Sequence, residues 1–207
     1  MCLALIILII AIAMIVHLLV TLKYSRSVQA LKIKMRELWS DHVWWTREFL
    51  IATFLASPNQ ADAQDRLMQN QADIGHAFGS YYGENIGKQL TALLITHITQ
   101  AVQVVKSLGN NIALQQAQKN WEQNAREIGA FIGKYTTEDM TDMMLSHLSL
   151  TTKEVIDLNE KNYKQSVVDF QDVLHESYMM SDKMAIGIAR SNIWTMLTAS
   201  VLPCCKH

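Results

Sequence analysis

Proline and glycine are scarce: the 207 residues include two Pro and eight Gly, and neither gathers into a linker. The long stretches between them favour helices, and no segment alternates apolar and polar residues at period two, so no sheet is expected. Cysteine is as sparse. Cys2, Cys204 and Cys205 lie at the ends, without a C-x-x-C or an even framework, which argues against a disulfide-stapled secreted fold. The formal net charge is −1, so the basic excess that nucleic acid attracts is missing and no nucleic-acid partner is expected. Enzyme signatures are missing too. The chain has no G-x-G-x-x-G, Walker loop, G-x-S-x-G or clustered Asp pair, and its cysteines are too near the termini for a Cys–His nucleophile. A non-enzymatic protein is the expectation.

What the chain does have is one long apolar run. Leu3 to Leu22 reads LALIILIIAIAMIVHLLVTL, with His17 its only ionisable side chain. A helix of about 20 residues rises about 30 Å and matches the hydrocarbon core of a bilayer. A cleaved signal peptide fits less well, because there is no basic segment before the run and no small-x-small site after it. Residues 3–22 are therefore expected to lie in the lipid bilayer as an uncleaved anchor. Lys23, Arg26, Lys32, Lys34 and Arg36 follow the run. Positive residues stay on the cytoplasmic side, so the remaining domain is expected there.

Three parts follow: an anchor and basic flank over 1–26, a helical domain over 27–191, and an apolar tail over 192–207. The tail ends in Cys204 and Cys205, a place for palmitate or simply a frayed end. In the domain, apolar residues at steps of three and four predict six helices, over about 27–56, 60–78, 84–108, 112–134, 138–160 and 163–190. The fold class is all-α: a helical bundle behind one transmembrane helix.

An internal pattern stands out. Asn70, Asp73, Ile74, Gly75, Gly79 and Tyr81 match Asn124, Glu127, Ile128, Gly129, Gly133 and Tyr135 as N-x-x-[DE]-I-G-x-x-x-G-x-Y. His42, His97 and His147 each follow two apolar residues at −4 and −3 and a small polar or acidic residue at −1. The expectation is three repeated helical hairpins, the last diverged. The three histidines, with Asn70 and Asn124, fall on or beside apolar stripes. Buried polar groups must be paired, so one reading is that they hydrogen-bond one another and set the register of the hairpins. The other is a pocket in the bundle. There His42, His97 and His147 would bind a transition metal such as zinc or iron, with Asp73 and Glu127 supporting them. Arg47 and Glu48 after the W-W-T run are read as a solvated face, or else one of them faces inward onto a carboxylate such as Asp73. A ligand there would meet these residues together with Asn70 and Asn124.

H-x-x-W-T-R at His42–Arg47, Asn70-x-x-Asp73, L-L-x-x-H at Leu93–His97, W-x-x-N-A at Trp121–Ala125 and H-L-x-x-T at His147–Thr151 form an ordered set. Over about 37–190 the chain resembles small all-helical proteins of bacilli and of large DNA viruses, often labelled glycosyltransferase or acetylglutamate kinase. The resemblance implies a compact helical domain; no motif in this chain supports either enzyme label. The anchor departs from the soluble bacterial type and suits either a virion-membrane component, its domain on the interior side of a viral membrane, or a cell-membrane relative with its domain in the cytoplasm. The function expected is that of a membrane-anchored bundle acting through protein contacts, with a metal- or small-ligand-binding bundle as the alternative.

Overall fold

The computed structural model describes residues 2–198, and the paired cysteines of the tail lie outside the described residues. All the described elements are helices: α1 Cys2–Phe54, α2 Gln60–Tyr82, α3 Glu84–Lys106, α4 Asn111–Thr136, α5 Thr141–Asn159, α6 Tyr163–Ser191 and α7 Ile193–Thr198.

The first of these joins what the sequence divides at residue 26. α1 runs for 53 residues without a break, about 80 Å at 1.5 Å per residue. No glycine or proline occurs before Pro58, and a basic flank does not interrupt backbone hydrogen bonding. Its first half is long and apolar enough to cross a membrane, and its large side chains from Leu5 to Leu22 are exposed. From Leu31 onward one face is buried, through Met35, Leu38, Trp39, His42 and Val43 to Phe49 and Leu50.

The six long helices close into a ring. Each packs on its neighbours in chain order, and α6 returns to α1, where α7 also docks. Among the described residues the buried apolar side chains form three clusters, two of them large. The largest gathers Met35, Trp39, Ile74, Phe78, Leu90, Leu94, Ile128, Met144 and Met180. The second gathers Phe49, Leu50, Leu67, Ile98, Val102, Val155 and Leu158. On α1, α3 and α5 the histidines lie on the buried faces, among residues of these clusters.

Tight joints hold the ring together. A single residue, Gly83 at φ +98°, separates α2 from α3, a conformation that glycine reaches without strain. The sequence ends this helix near 78, but Ser80 to Tyr82 remain helical because the turn needs only Gly83. The start expected near 138 falls at Thr141 instead, with Thr136 kept in α4 and the Asp139 carboxylate accepting from Thr141 N at 2.8 Å. At the start of α4, Asn110 Oδ1 accepts from Ala113 N at 3.2 Å. Asn110→Ala should cost about 1 kcal/mol of stability and Asn110→Asp far less. Thermal unfolding of the full chain in detergent, followed by circular dichroism, checks this ranking.

Candidate functional site

The histidine layer begins with a shared local pattern. On α1 and α5 a threonine four residues on returns its hydroxyl to the histidine's own carbonyl: Thr46 Oγ1 to His42 O at 2.7 Å, and Thr151 Oγ1 to His147 O at 2.8 Å. On the other side, Asn70 Nδ2 donates to Leu38 O at 3.0 Å and Asn124 Nδ2 to Leu93 O at 3.1 Å. Both carbonyls lie one helical turn before a histidine. The asparagines thus tie α2 to α1 and α4 to α3 at the height of the rings.

The three rings meet. Their centroids are 5.7 Å apart for His42 and His147, 6.4 Å for His42 and His97, and 6.3 Å for His97 and His147. All three residues are buried. Trp39 stands edge-on to His42 at 5.7 Å and Trp121 lies against His97 at 5.3 Å, which walls the layer with indoles.

Each ring turns Nδ1 toward the next helix. His42 Nδ1 is 3.2 Å from Gln71 Nε2 on α2, His97 Nδ1 is 3.0 Å from Asn124 Oδ1 on α4, and His147 Nδ1 is 3.4 Å from Glu176 Oε2 on α6. The donors decide the tautomers. Asn124 spends its Nδ2 on Leu93 O, so its Oδ1 accepts from His97 Nδ1–H and leaves Nε2 a bare lone pair. Gln71 spends its Nε2 on Leu67 O at 2.7 Å and also faces His42, whose Nδ1 therefore accepts. Burial, with the neighbouring rings adding, holds the His42 imidazole well below its ordinary range. Burial first and His147 second lower His97 to about 3, so both are neutral at physiological pH.

The third pair is different. Glu176 is buried, yet neither of its carboxylate oxygens has a hydrogen-bond partner, and the 3.4 Å approach to His147 Nδ1 does not make one. Gln71 Oε1 is likewise buried without a partner. A carboxyl in such surroundings costs several kcal/mol of stability unless something compensates it.

Arg47 is not on a solvated face: it turns inward, onto Glu154 rather than Asp73. Its Nη1 donates to Glu154 Oε1 at 2.6 Å and to Ser166 O at 3.0 Å, with the guanidinium 4.8 Å from the Phe170 ring centroid. Burial pushes the Glu154 carboxyl up to about 7 against the pull of Arg47. Asp73 and Glu127 do not reach the histidines. Asp73 is half-exposed and paired with Arg66 at 3.4 Å, and Glu127 is exposed and bonded by Gln123. The carboxylates near the layer, Glu154 and Glu176, lie outside the repeated motif. One signal pointed to Glu176: it follows His147 by 29 residues, the spacing between His42 and Gln71.

Among the described residues, no group of three or more His, Cys, Asp or Glu side chains is placed so that it could hold a metal ion. A small apolar cavity of about 20 Å³ opens one turn from His42 and His147, lined by Thr46, Trp121, Thr151 and Ile98 among others. Compared with protein-family models, with curated proteins and with solved structures, the chain has no match.

Proposed function

We propose that the chain is a single-pass membrane protein holding a non-catalytic binding bundle against the cytoplasmic face, with the histidine layer as its binding centre. The observation that carries this reading is the layer itself. Three imidazole rings share one buried level, beside a carboxylate and an amide oxygen that have no partners. A purely structural layer would be expected to satisfy its own polar atoms. The anchor belongs to the reading because α1 carries both the apolar span and His42 on one rigid element.

In this reading the bundle is three hairpins of common origin, α1–α2, α3–α4 and α5–α6. Each odd helix supplies a histidine, and each even helix supplies the group at its Nδ1. The paired glycines support the same view: Gly75 and Gly79 lie against Gly87 of α3, while Gly129 and Gly133 lie against Thr141 and Asp139 at the start of α5.

Two measurements test the proposal. The full chain should stay with membranes through alkaline extraction, and its domain should be digested by protease only when the cytoplasmic side is opened. Native mass spectrometry from detergent should show a bound species that leaves when His97 is replaced by Gln. A chain freed by alkali, or a folded chain without any bound species, would sink it.

Action through protein contacts is the second reading. It is favoured by an apolar strip in which exposed Trp44 packs on Phe170 at 4.7 Å beside exposed Tyr163, Val167 and Val168 of α6.

A further inference from the structure

We infer that the end of the bundle formed by the α2–α3, α4–α5 and α6–α7 turns is a docking surface for anionic phospholipid headgroups of the membrane that α1 enters, held there by Lys23, Arg26, Lys134 and Arg190. It rests on the membrane-anchor part of the proposed reading and is independent of the histidine layer.

The helices fix which end faces the bilayer. Because α1 has no break, the bundle begins where the apolar run stops. Leu22 and Lys23 are exposed, Tyr24 packs against the largest core cluster, and Ser27 is buried. From Leu22 to Ser27 the helix rises about 7–8 Å, comparable to the thickness of one headgroup layer. α6 runs antiparallel to α1, with Ser166 O on Arg47 and Asp182 on Lys32 and Arg36. From Asp182 it continues to Ser191, about 13 Å nearer the membrane. There the Ser191 hydroxyl is 2.6 Å from that of Tyr82, and Arg190 Nη1 donates to Glu138 Oε1 at 2.6 Å. The turns on either side of α6 are thereby held level with the start of the bundle.

Charge at this end complements a layer of phosphates. Lys23, Arg26 and Lys134 are exposed and, among the described residues, have no carboxylate partner. Of the acids that flank the same turns, Glu84 is held by Lys88 at 2.6 Å, Glu138 by Arg190, and Asp139 by Thr141 N, which leaves Asp142 of α5 as the acid without such a contact. The Arg190 side chain stays 66% exposed, so its guanidinium has further donors to offer a phosphate. The opposite end has no such excess: its turns are flanked by Asp62, Asp157 and Glu160 with Lys106, Lys161 and Lys164. Half-buried Tyr24, Tyr81 and Tyr135 lie at the membrane end, and such amphipathic rings settle at headgroup level. A basic residue close to an anionic surface strengthens association about fivefold, over a screening length of about 8 Å.

The competing account is an ordinary basic flank, in which Lys23 and Arg26 alone meet the lipid and the bundle stands clear of it. The full chain in phosphatidylcholine bilayers, probed by electron spin resonance with spin-labelled phosphatidylserine and then spin-labelled phosphatidylcholine, separates the two. Phosphatidylserine is expected to associate with the chain in preference to phosphatidylcholine, and the preference should shrink as salt is raised. Lys134→Gln, on the bundle, should weaken the phosphatidylserine association about 2- to 5-fold while circular dichroism remains helical. Lys161→Gln, at the far end, should leave it unchanged. A preference that is lost in Lys23→Gln with Arg26→Gln but is indifferent to Lys134→Gln overturns the surface in favour of the flank. An equal fall in Lys134→Gln and Lys161→Gln overturns it as well, because the attraction then belongs to no one end. No preference at all, in a chain that resists alkaline extraction, overturns the surface and leaves the anchor standing; a chain freed by alkali overturns both.

Discussion

Arg47→Met is expected to lower the stability of the full chain by about 3–5 kcal/mol, because it leaves the buried Glu154 carboxylate without the guanidinium it pairs with. For a chain of this size that is roughly a 10 °C fall in thermal midpoint. Arg47 Nη1 sits 2.6 Å from Glu154 Oε1, and the Glu154 side chain is 2% exposed. The same nitrogen also satisfies Ser166 O, so the change orphans a backbone acceptor as well. Arg47→Met with Glu154→Leu should recover most of the loss, since replacing both members of a buried pair by apolar groups is often neutral.

The pH dependence has a definite sign. Burial holds Glu154 up to about 7 in the folded chain, above the ordinary 4.5 of an unfolded one. Between those values the folded state binds more protons than the unfolded state, so stability falls as pH rises through that window and levels off above it. At pH 5 the carboxyl is neutral in the folded chain, and only below about pH 4 is it neutral in both states. Arg47→Met should therefore cost little at pH 5 and its full amount at pH 8. Thermal melts of both proteins at the two pH values provide the check. Equal losses at pH 5 and 8 would remove Glu154 as the cause.

The helical class was legible because apolar steps of three and four survive along every long helix, from Leu31–Met35–Leu38 on α1 to Leu90 and Leu94 on α3. The histidines were legible for a similar reason: a polar residue on an apolar stripe is conspicuous, and His42, His97 and His147 are all buried as that pattern implies. Their carboxylate neighbours were not. The motif drew attention to Asp73 and Glu127, each three residues beyond an asparagine. Three residues turn a helix by about 300°, which leaves them off the narrow buried stripe and beside water. Glu154 and Glu176 sit on α5 and α6, where the motif has faded and a charged residue looks like a solvated face. Only the pairing of helices, which sequence spacing does not state, brings Arg47 of α1 onto Glu154 of α5. Likewise, Lys23 and Arg26 suggested a boundary after the apolar run because charge marks the membrane surface. The backbone responds to glycine, proline and caps instead, and α1 passes through.

The second large effect belongs to Gly129→Ala, which should destabilise the chain by about 3 kcal/mol or more, beyond the usual cost of an extra core methyl. A Cβ on Gly129 would lie 2.5 Å from both Cα and N of Thr141, and 2.8 Å from its Oγ1. Two of those three atoms are backbone, so no rotamer change relieves the overlap and the start of α5 must move away. Gly75→Ala tests the contrast. Its Cβ would fall on Thr91 Oγ1, which can rotate, and 2.7 Å from Gly87 O, which cannot. Gly75→Ala should therefore be partly rescued by Thr91→Ala, whereas Thr141→Ala should not rescue Gly129→Ala. Gly133→Ala, whose nearest atom is Asp139 Cα at 3.1 Å, should be the mildest of the three. The site adds a further consequence. His147 lies six residues beyond Thr141 on the same helix, so displacing the start of α5 moves one ring of three. Denaturant unfolding of the full chain in detergent gives the stability order. If Gly129→Ala were as stable as the native chain, α4 and α5 would not meet at this glycine, and the placement of His147 would fall with it.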